Sequence, residues 1–108
     1  DNQGLQWILD DMATQTSAAR ELVYRAALLM DAGEPANAAC SMAKCFAGDV
    51  AVAQTANAVQ VFGGSGYIRG FEVERLYRDA KITQIYEGTQ QIQRTIIARE
   101  LIKNGARI

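Results

Sequence analysis

Apolar residues recur at three- and four-residue steps along most of this chain, which is the period of an α-helix with one buried face. The first such stretch runs from Leu5 to Met30 and predicts one long helix. Gly33 and Pro35 follow it, and this pair is typical of a helix end and of the first turn of the next helix. We therefore expect a tight turn and a second helix that runs antiparallel to the first.

The second stretch predicts a helix from about Glu34 to Phe62. It is rich in alanine, and small side chains allow helix axes to approach closely. Lys44 and Asp49 are its only charged residues after Glu34, so this helix should be covered on most sides. We expect it to be the central helix of a bundle.

Two further helices are predicted after the glycine-rich segment Gly63–Gly66, which should end the second helix and lead into a loop as far as Gly70. A short charged helix spans residues 73–82, and a connection follows it. Thr89 is placed to cap a last helix that ends at Lys103. The core side of that last helix should be aliphatic: Ile92, Ile96, Ile97, Leu101 and Ile102.

No stretch of the chain alternates apolar and polar residues as a strand does, so the pattern predicts an all-α fold. We expect a single domain over residues 1–108, built as an up-down helical bundle of three long helices and one short helix. The apolar faces are wider than these helices can bury among themselves. A missing helix or a partner subunit should therefore cover the remainder.

The composition excludes several classes of function. Lys and Arg number 11 and Asp and Glu number 12, a balance that gives no indication of nucleic-acid binding. No apolar run reaches the roughly 18 residues that cross a bilayer, and the first residues lack the basic start of a signal peptide, so we expect neither membrane insertion nor secretion. Because the chain has no histidine, it cannot form a Ser-His-Asp or Cys-His catalytic arrangement by itself.

The two cysteines, Cys40 and Cys45, are not expected to bridge each other, because their spacing puts them roughly 140° apart around a helix. No other thiol or imidazole is available as a ligand. We therefore predict no metal site and two free thiols in a reduced compartment.

Residues 82–89 are the most informative stretch for chemistry, because Glu87 is the only acid between Asp79 and Glu100. Glu87 lies in a loop that leads into a helix N-terminus. Burial among Ile85 and Tyr86 would disfavour its charged form and make it a general base. The alternative is an ordinary acid near a helix start, where the helix dipole favours negative charge. The residues alone favour this second interpretation.

Two other segments have simpler interpretations beside functional ones. The Gly63–Gly66 segment can let backbone approach a phosphate or ribose, but a helix precedes it where a dinucleotide fingerprint needs a strand, so a plain helix cap is favoured. Arg75 and Lys81 belong to a mixed-sign run that is typical of a solvated or ion-paired face. Arg78 and Asp79 are candidates for a structural ion pair.

Three motifs, in their order and spacing, resemble the C-terminal domain of the acyl-CoA dehydrogenase family. They are Gln60-Val61-Phe62-Gly63-Gly64-Ser65-Gly66-Tyr67, Tyr77-Arg78-Asp79-Ala80-Lys81-Ile82, and Ile85-Tyr86-Glu87-Gly88-Thr89 followed by Ile92-Gln93-Arg94. The resemblance covers essentially the whole chain. It implies most of that family's C-terminal four-helix bundle, without the first helix of the bundle, and a fragment that is inactive by itself.

The resemblance also implies roles for individual residues. Glu87 matches the base that removes the α-proton of an acyl-CoA thioester while the β-hydrogen leaves as hydride to FAD, which yields the trans-2-enoyl-CoA. The backbone N–H of Glu87 matches a donor to the thioester oxygen, and Tyr86 and Gly88 match neighbours of the substrate. Thr89 and Gln91 match positions that contact FAD. Gln60, Gly63 and Gly64 match positions that contact the ADP portion of an FAD bound by a neighbouring subunit.

The partners implied by the resemblance are an acyl-CoA substrate, an electron-transfer flavoprotein and further copies of the chain, as a homotetramer or dimer of dimers. The implied compartment is a bacterial cytoplasm or the mitochondrial matrix. A glutamate at position 87 favours the straight-chain or short-branched-chain group of the family. Two alternatives stay open: a non-catalytic helical oligomerisation module and an acyl-CoA oxidase.

Overall fold

The computed structural model describes residues 2–105, and within them it is helical without any strand. The helices are α1 (Gln3–Asp31), α2 (Asn37–Phe62), α3 (Gly64–Tyr67), α4 (Glu72–Lys81) and α5 (Gln90–Lys103), with a single 3-10 turn over Ile82–Gln84. The predicted all-α fold is confirmed. So are the extents of the first helix, the short charged helix and the last helix, to within a residue or two.

Two boundaries differ from those predicted. Helix α2 begins at Asn37 and not near Glu34, so Pro35 lies before the helix and not in its first turn. Pro35 disfavours helical backbone at Glu34, and Ala36, with φ −118° and ψ 0°, is the N-cap. Gly63 ends α2 with a positive φ of 63°, as expected, but the chain then forms the four-residue helix α3 before the loop begins at Ile68.

The bundle runs up, down and up again. The Cys40 thiol lies 3.6 Å from the Met30 sulfur near the turn, while Met12 shares a cavity with Ala58 at the far end, so α1 and α2 are antiparallel. Helices α4 and α5 follow each other back along α2, which contacts every other helix of the described chain. The prediction that α2 is the central helix is confirmed.

Small side chains make the contact between α1 and α2. Ala26, Ala39 and Ala43 form its buried cluster, with Leu22, Leu29 and Cys40 packed around it. Both cysteines are free thiols. Many large apolar residues stay exposed in the described chain, such as Trp7 at 65% and Leu28 at 68%, which agrees with the expected surplus of apolar surface.

The predicted core side of α5 is wrong in part. Ile92 and Ile102 are 53% and 84% exposed, whereas Gln90 and Gln93 are 4% and 8% exposed. The reason is that the first turn of α5 packs on α2 through the Gln90 amide, which donates to the Cys45 carbonyl and to Asp49, while the Gln93 amide turns back to the Glu87 carbonyl. This arrangement turns part of the aliphatic face outward.

Candidate functional site

The turn of residues 86–89 joins the 3-10 turn to α5 and has an unusual backbone. Glu87 has a φ of 54° and Gly88 a φ of 86°, so two consecutive residues are left-handed. The Thr89 hydroxyl then accepts a 3.2 Å hydrogen bond from the N–H of Ile92, which confirms the predicted N-cap. Glu87 is therefore an exposed residue that precedes the N-cap of α5 by two positions.

Two side chains from different helices hold the carbonyls of this turn. The Gln93 Nε2 of α5 donates to the Glu87 carbonyl at 3.0 Å, and the Lys44 Nζ of α2 donates to the Gly88 carbonyl at 2.5 Å. Lys44 also donates to Oε1 of Gln90 at 3.0 Å. The backbone N–H of Glu87 donates no hydrogen bond to any of residues 2–105.

A polar network behind the turn centres on Asp49. Its carboxylate accepts hydrogen bonds, each of 2.9 Å, from the side chains of Gln84, Gln90 and Arg94. Burial by itself would raise the pKa of Asp49, but the hydrogen bonds from Gln90 and Gln84 and the charge of Arg94 hold the pKa below its ordinary value of 3.8. The ionised carboxylate is thus favoured in the folded chain, and this contribution to stability is lost as the pH falls through the lowered pKa.

Two cavities flank the turn. Tyr86 and Glu87 line one of about 420 Å³, whose other walls come from α2 and Thr83. Thr89 and Gln91 line the second, of about 410 Å³, together with polar residues of the Asp49 network. The turn therefore separates the predicted substrate residues from two of the predicted cofactor residues.

The remaining predicted cofactor residues lie elsewhere. Gln60 is sixteen residues beyond Lys44 on α2, which puts it about 24 Å along the helix axis from the turn. Gly63 and Gly64 follow it at the far end of the bundle. The structure therefore does not bring the two groups of residues together within one chain.

Glu87 itself is exposed in the described chain, and Ile85 and Tyr86 are 52% and 51% exposed. The burial considered for Glu87 is therefore not supplied by this chain. What the chain does supply is a carboxylate and an unused N–H of the same residue beside one cavity. The expectation for Glu87, a base whose N–H also donates to a thioester oxygen, requires these two groups.

The sequence assigns no role to Lys44, which holds the turn, or to Asp49, which lies behind it. The one signal that the sequence offers is that these two residues are the only charges of α2. Of the two ion-pair candidates, Asp79 is confirmed, because it pairs with Arg75 at 3.1 Å, one helical turn away. Arg78 has no ion pair among the described residues.

Backbone strain at Glu87 is open to a direct test. A left-handed residue with a Cβ costs about 1–2 kcal/mol, and no other non-glycine residue among residues 2–105 has a positive φ. The Glu87→Gly variant should therefore be more stable to urea than Glu87→Ala by about 1 kcal/mol. Both variants lack the carboxylate, so the difference isolates the backbone. Equal stability would show that the turn carries no strain.

Between residues 2 and 105, no helix has the length and apolar character needed to cross a membrane. That same part of the chain contains no group of three or more Cys, Asp or Glu residues arranged to hold a metal ion.

The fold and the site define a helical-bundle domain that presents one acidic turn at a helix entry. A family model that describes the C-terminal domain of acyl-CoA dehydrogenases matches residues 1–102, and the chain belongs to this family.

Individual relatives share most of this chain. The cyclohexane-1-carbonyl-CoA dehydrogenase of Geobacter metallireducens is 52% identical over 106 residues, which are 98% of this chain and 28% of that protein. The structure of butyryl-CoA dehydrogenase from Megasphaera elsdenii is 46% identical with a TM-score of 0.91, over 93% of this chain and 26% of that one. The FAD complex of PigA is 31% identical with a TM-score of 0.90, over 99% of this chain and 27% of that one. This chain thus spans about a quarter of the length of the relatives it matches.

Proposed function

We propose that this chain is the C-terminal helical part of an FAD-dependent acyl-CoA dehydrogenase, with residues 1–108 in one domain and no activity when isolated. The observation that carries the proposal is the turn at Glu87, which lines a cavity and whose carboxylate and N–H have no hydrogen-bond or ion-pair partner among residues 2–105. The butyryl and cyclohexane-1-carbonyl names of two relatives support an acyl-CoA thioester as substrate.

In this proposal the Glu87 carboxylate takes a proton from the α-carbon of the acyl-CoA. The N–H of Glu87 donates to the thioester oxygen, which gains negative charge as the α-C–H bond breaks. The chemistry that bound FAD would supply is a hydride acceptor for the hydrogen that leaves the β-carbon, which would complete the α,β double bond. Tyr86 and Gly88 lie next to the thioester. Desolvation of Glu87 comes from parts of the enzyme outside this chain.

The FAD contacts in this proposal divide between the two ends of the bundle. Thr89 and Gln91 offer polar atoms near the base, and the Thr89 hydroxyl keeps a proton to donate after it caps α5. Gln60, Gly63 and Gly64 lie at the opposite end of α2, about 24 Å from the turn, so they do not contact the part of FAD that lies beside Glu87. We assign them to the ADP portion of an FAD held by a neighbouring subunit. This requires at least a second copy of the chain, and we propose a homotetramer or dimer of dimers.

The exposed apolar residues of α1 and α5 support this assembly, because such surface is normally covered in a folded protein. We further propose an electron-transfer flavoprotein as electron acceptor, and a bacterial cytoplasm or mitochondrial matrix as compartment.

Flavin spectroscopy of the full-length protein tests the proposed function. The purified protein should show the absorbance of bound FAD, and anaerobic butyryl-CoA should bleach it with formation of the enoyl-CoA. A protein without flavin would be the non-catalytic oligomerisation module instead. Rapid hydrogen peroxide formation during turnover in air would identify an acyl-CoA oxidase.

A further inference from the structure

We propose that Lys44 and Gln93 are positioning residues that hold the backbone of Glu87 in the conformation needed for proton abstraction. This inference rests on the proposed function. Gln93 does not line the cavity beside Glu87. Lys44 does line it, but its ammonium is hydrogen-bonded to the Gly88 carbonyl and to Gln90. Each acts through a carbonyl of the turn, and the two carbonyls belong to the consecutive residues Glu87 and Gly88.

The turn needs such support because its conformation is unfavourable for glutamate. Glu87 is left-handed, and a free loop would relax to a conformation that points its carboxylate elsewhere. The two donors come from different helices, Lys44 from α2 and Gln93 from α5. Between them they fix both the position of the turn and the orientation of its peptide planes.

The anchors are themselves held in place. Gln93 is 8% exposed, so its amide has little freedom. Lys44 also bonds to Gln90, whose Nε2 donates to Asp49 on the next turn of α2. The Lys44 ammonium thus belongs to a network that includes α2, α5 and the 3-10 turn.

The donors occupy only the carbonyl side of the turn. The N–H and the carboxylate of Glu87 stay free for substrate, and no ion pair joins Lys44 to Glu87 among the described residues. Lys44 therefore acts on the backbone and is not a counter-ion of the base. Gly88 also takes part, because a Cβ at that position would lie 2.6 Å from Nε2 of Gln93 and displace the anchor.

The test uses the full-length, FAD-loaded enzyme and two substitutions. Gln93→Glu keeps the shape of the side chain but places an oxygen against the Glu87 carbonyl, and Lys44→Met keeps the aliphatic stem without a donor. Gln15→Glu and Lys103→Met make the same chemical changes at exposed sites and serve as controls. The substrate analogue is an acyl-CoA with sulfur in place of the β-carbon, which has no β-hydride to lose. Exchange of its α-protons with deuterium oxide therefore reports the base alone.

Each anchor variant should lower the exchange rate and the kcat with butyryl-CoA at least tenfold, while KM and FAD content stay within twofold of the unsubstituted enzyme. The controls should change neither rate. Exchange rates within twofold of the unsubstituted enzyme in both anchor variants would overturn the inference. A fall in exchange rate that is proportional to a fall in FAD content would also overturn it, because it indicates a general structural role. Should Gln93→Glu fail to fold, Lys44→Met decides alone. If the unsubstituted enzyme exchanges no α-protons, the proposed function fails first.

Discussion

Replacing Glu87 by glutamine in the full-length enzyme is expected to slow the reduction of bound FAD by an acyl-CoA by about a hundred- to ten-thousandfold, the usual contribution of a general base. The amide has nearly the shape of the carboxylate but cannot take up the α-proton. Because the backbone N–H is unchanged, the thioester oxygen keeps its donor. Substrate binding and FAD content should therefore be preserved.

Stopped-flow bleaching of the flavin measures this effect directly, and equilibrium titration with the product enoyl-CoA measures binding. Glu21→Gln, at an exposed position of α1, makes the same change away from the turn and should leave the bleaching rate unaltered. A Glu87→Gln enzyme that reduces flavin at the original rate would remove Glu87 from the mechanism. The helical domain and its family membership would be unaffected by that result.

Replacing Gly66 by alanine is expected to lower the free energy of unfolding more than the Glu87 substitutions do. A Cβ on this buried residue would lie 2.6 Å from the Val59 carbonyl oxygen and 2.8 Å from Cβ of Phe62. Both atoms belong to the last turns of α2, which cannot move without breaking helical hydrogen bonds. Gly66→Ala should therefore lower the free energy of unfolding by about 2 kcal/mol, within the range for overpacked sites.

Thermal unfolding of the Gly66→Ala variant provides the measurement, and Gly64→Ala is the matched control. Gly64 lies two residues away in the same short helix, and a Cβ there meets no atom within 4 Å. The control should thus unfold near the original temperature. Equal unfolding temperatures for the two variants would mean that α3 shifts away from α2 at little cost.

Local pattern was sufficient for much of the architecture. Helix α1 and the N-cap Thr89 follow from residues within one or two turns of each other, so the sequence predicts them well. The start of α2 was missed because the effect of Pro35 on Glu34 outweighs the apolar period. The α5 face was misjudged because apolar spacing does not reveal which side of a helix meets its neighbour.

The turn shows the same division more sharply. Its glutamate is identifiable from the order Tyr86-Glu87-Gly88-Thr89, but the left-handed backbone of Glu87 is not, since that conformation is uncommon for residues with a Cβ. The supporting bond from Lys44 to the Gly88 carbonyl joins residues 44 positions apart. No short-range pattern connects them.

Helix content and the central position of α2 follow from residue order alone, because they depend on the apolar period and on small side chains along the chain. The proposed role of Glu87 comes from the motifs shared with the family and not from the residue pattern itself. Which amides of α5 are buried, which charges form the Asp49 network and how Lys44 holds the Gly88 carbonyl emerge only when α2 and α5 pack together. Hydrogen bonds between distant residues depend on distances in space, and those distances exist only in the folded bundle.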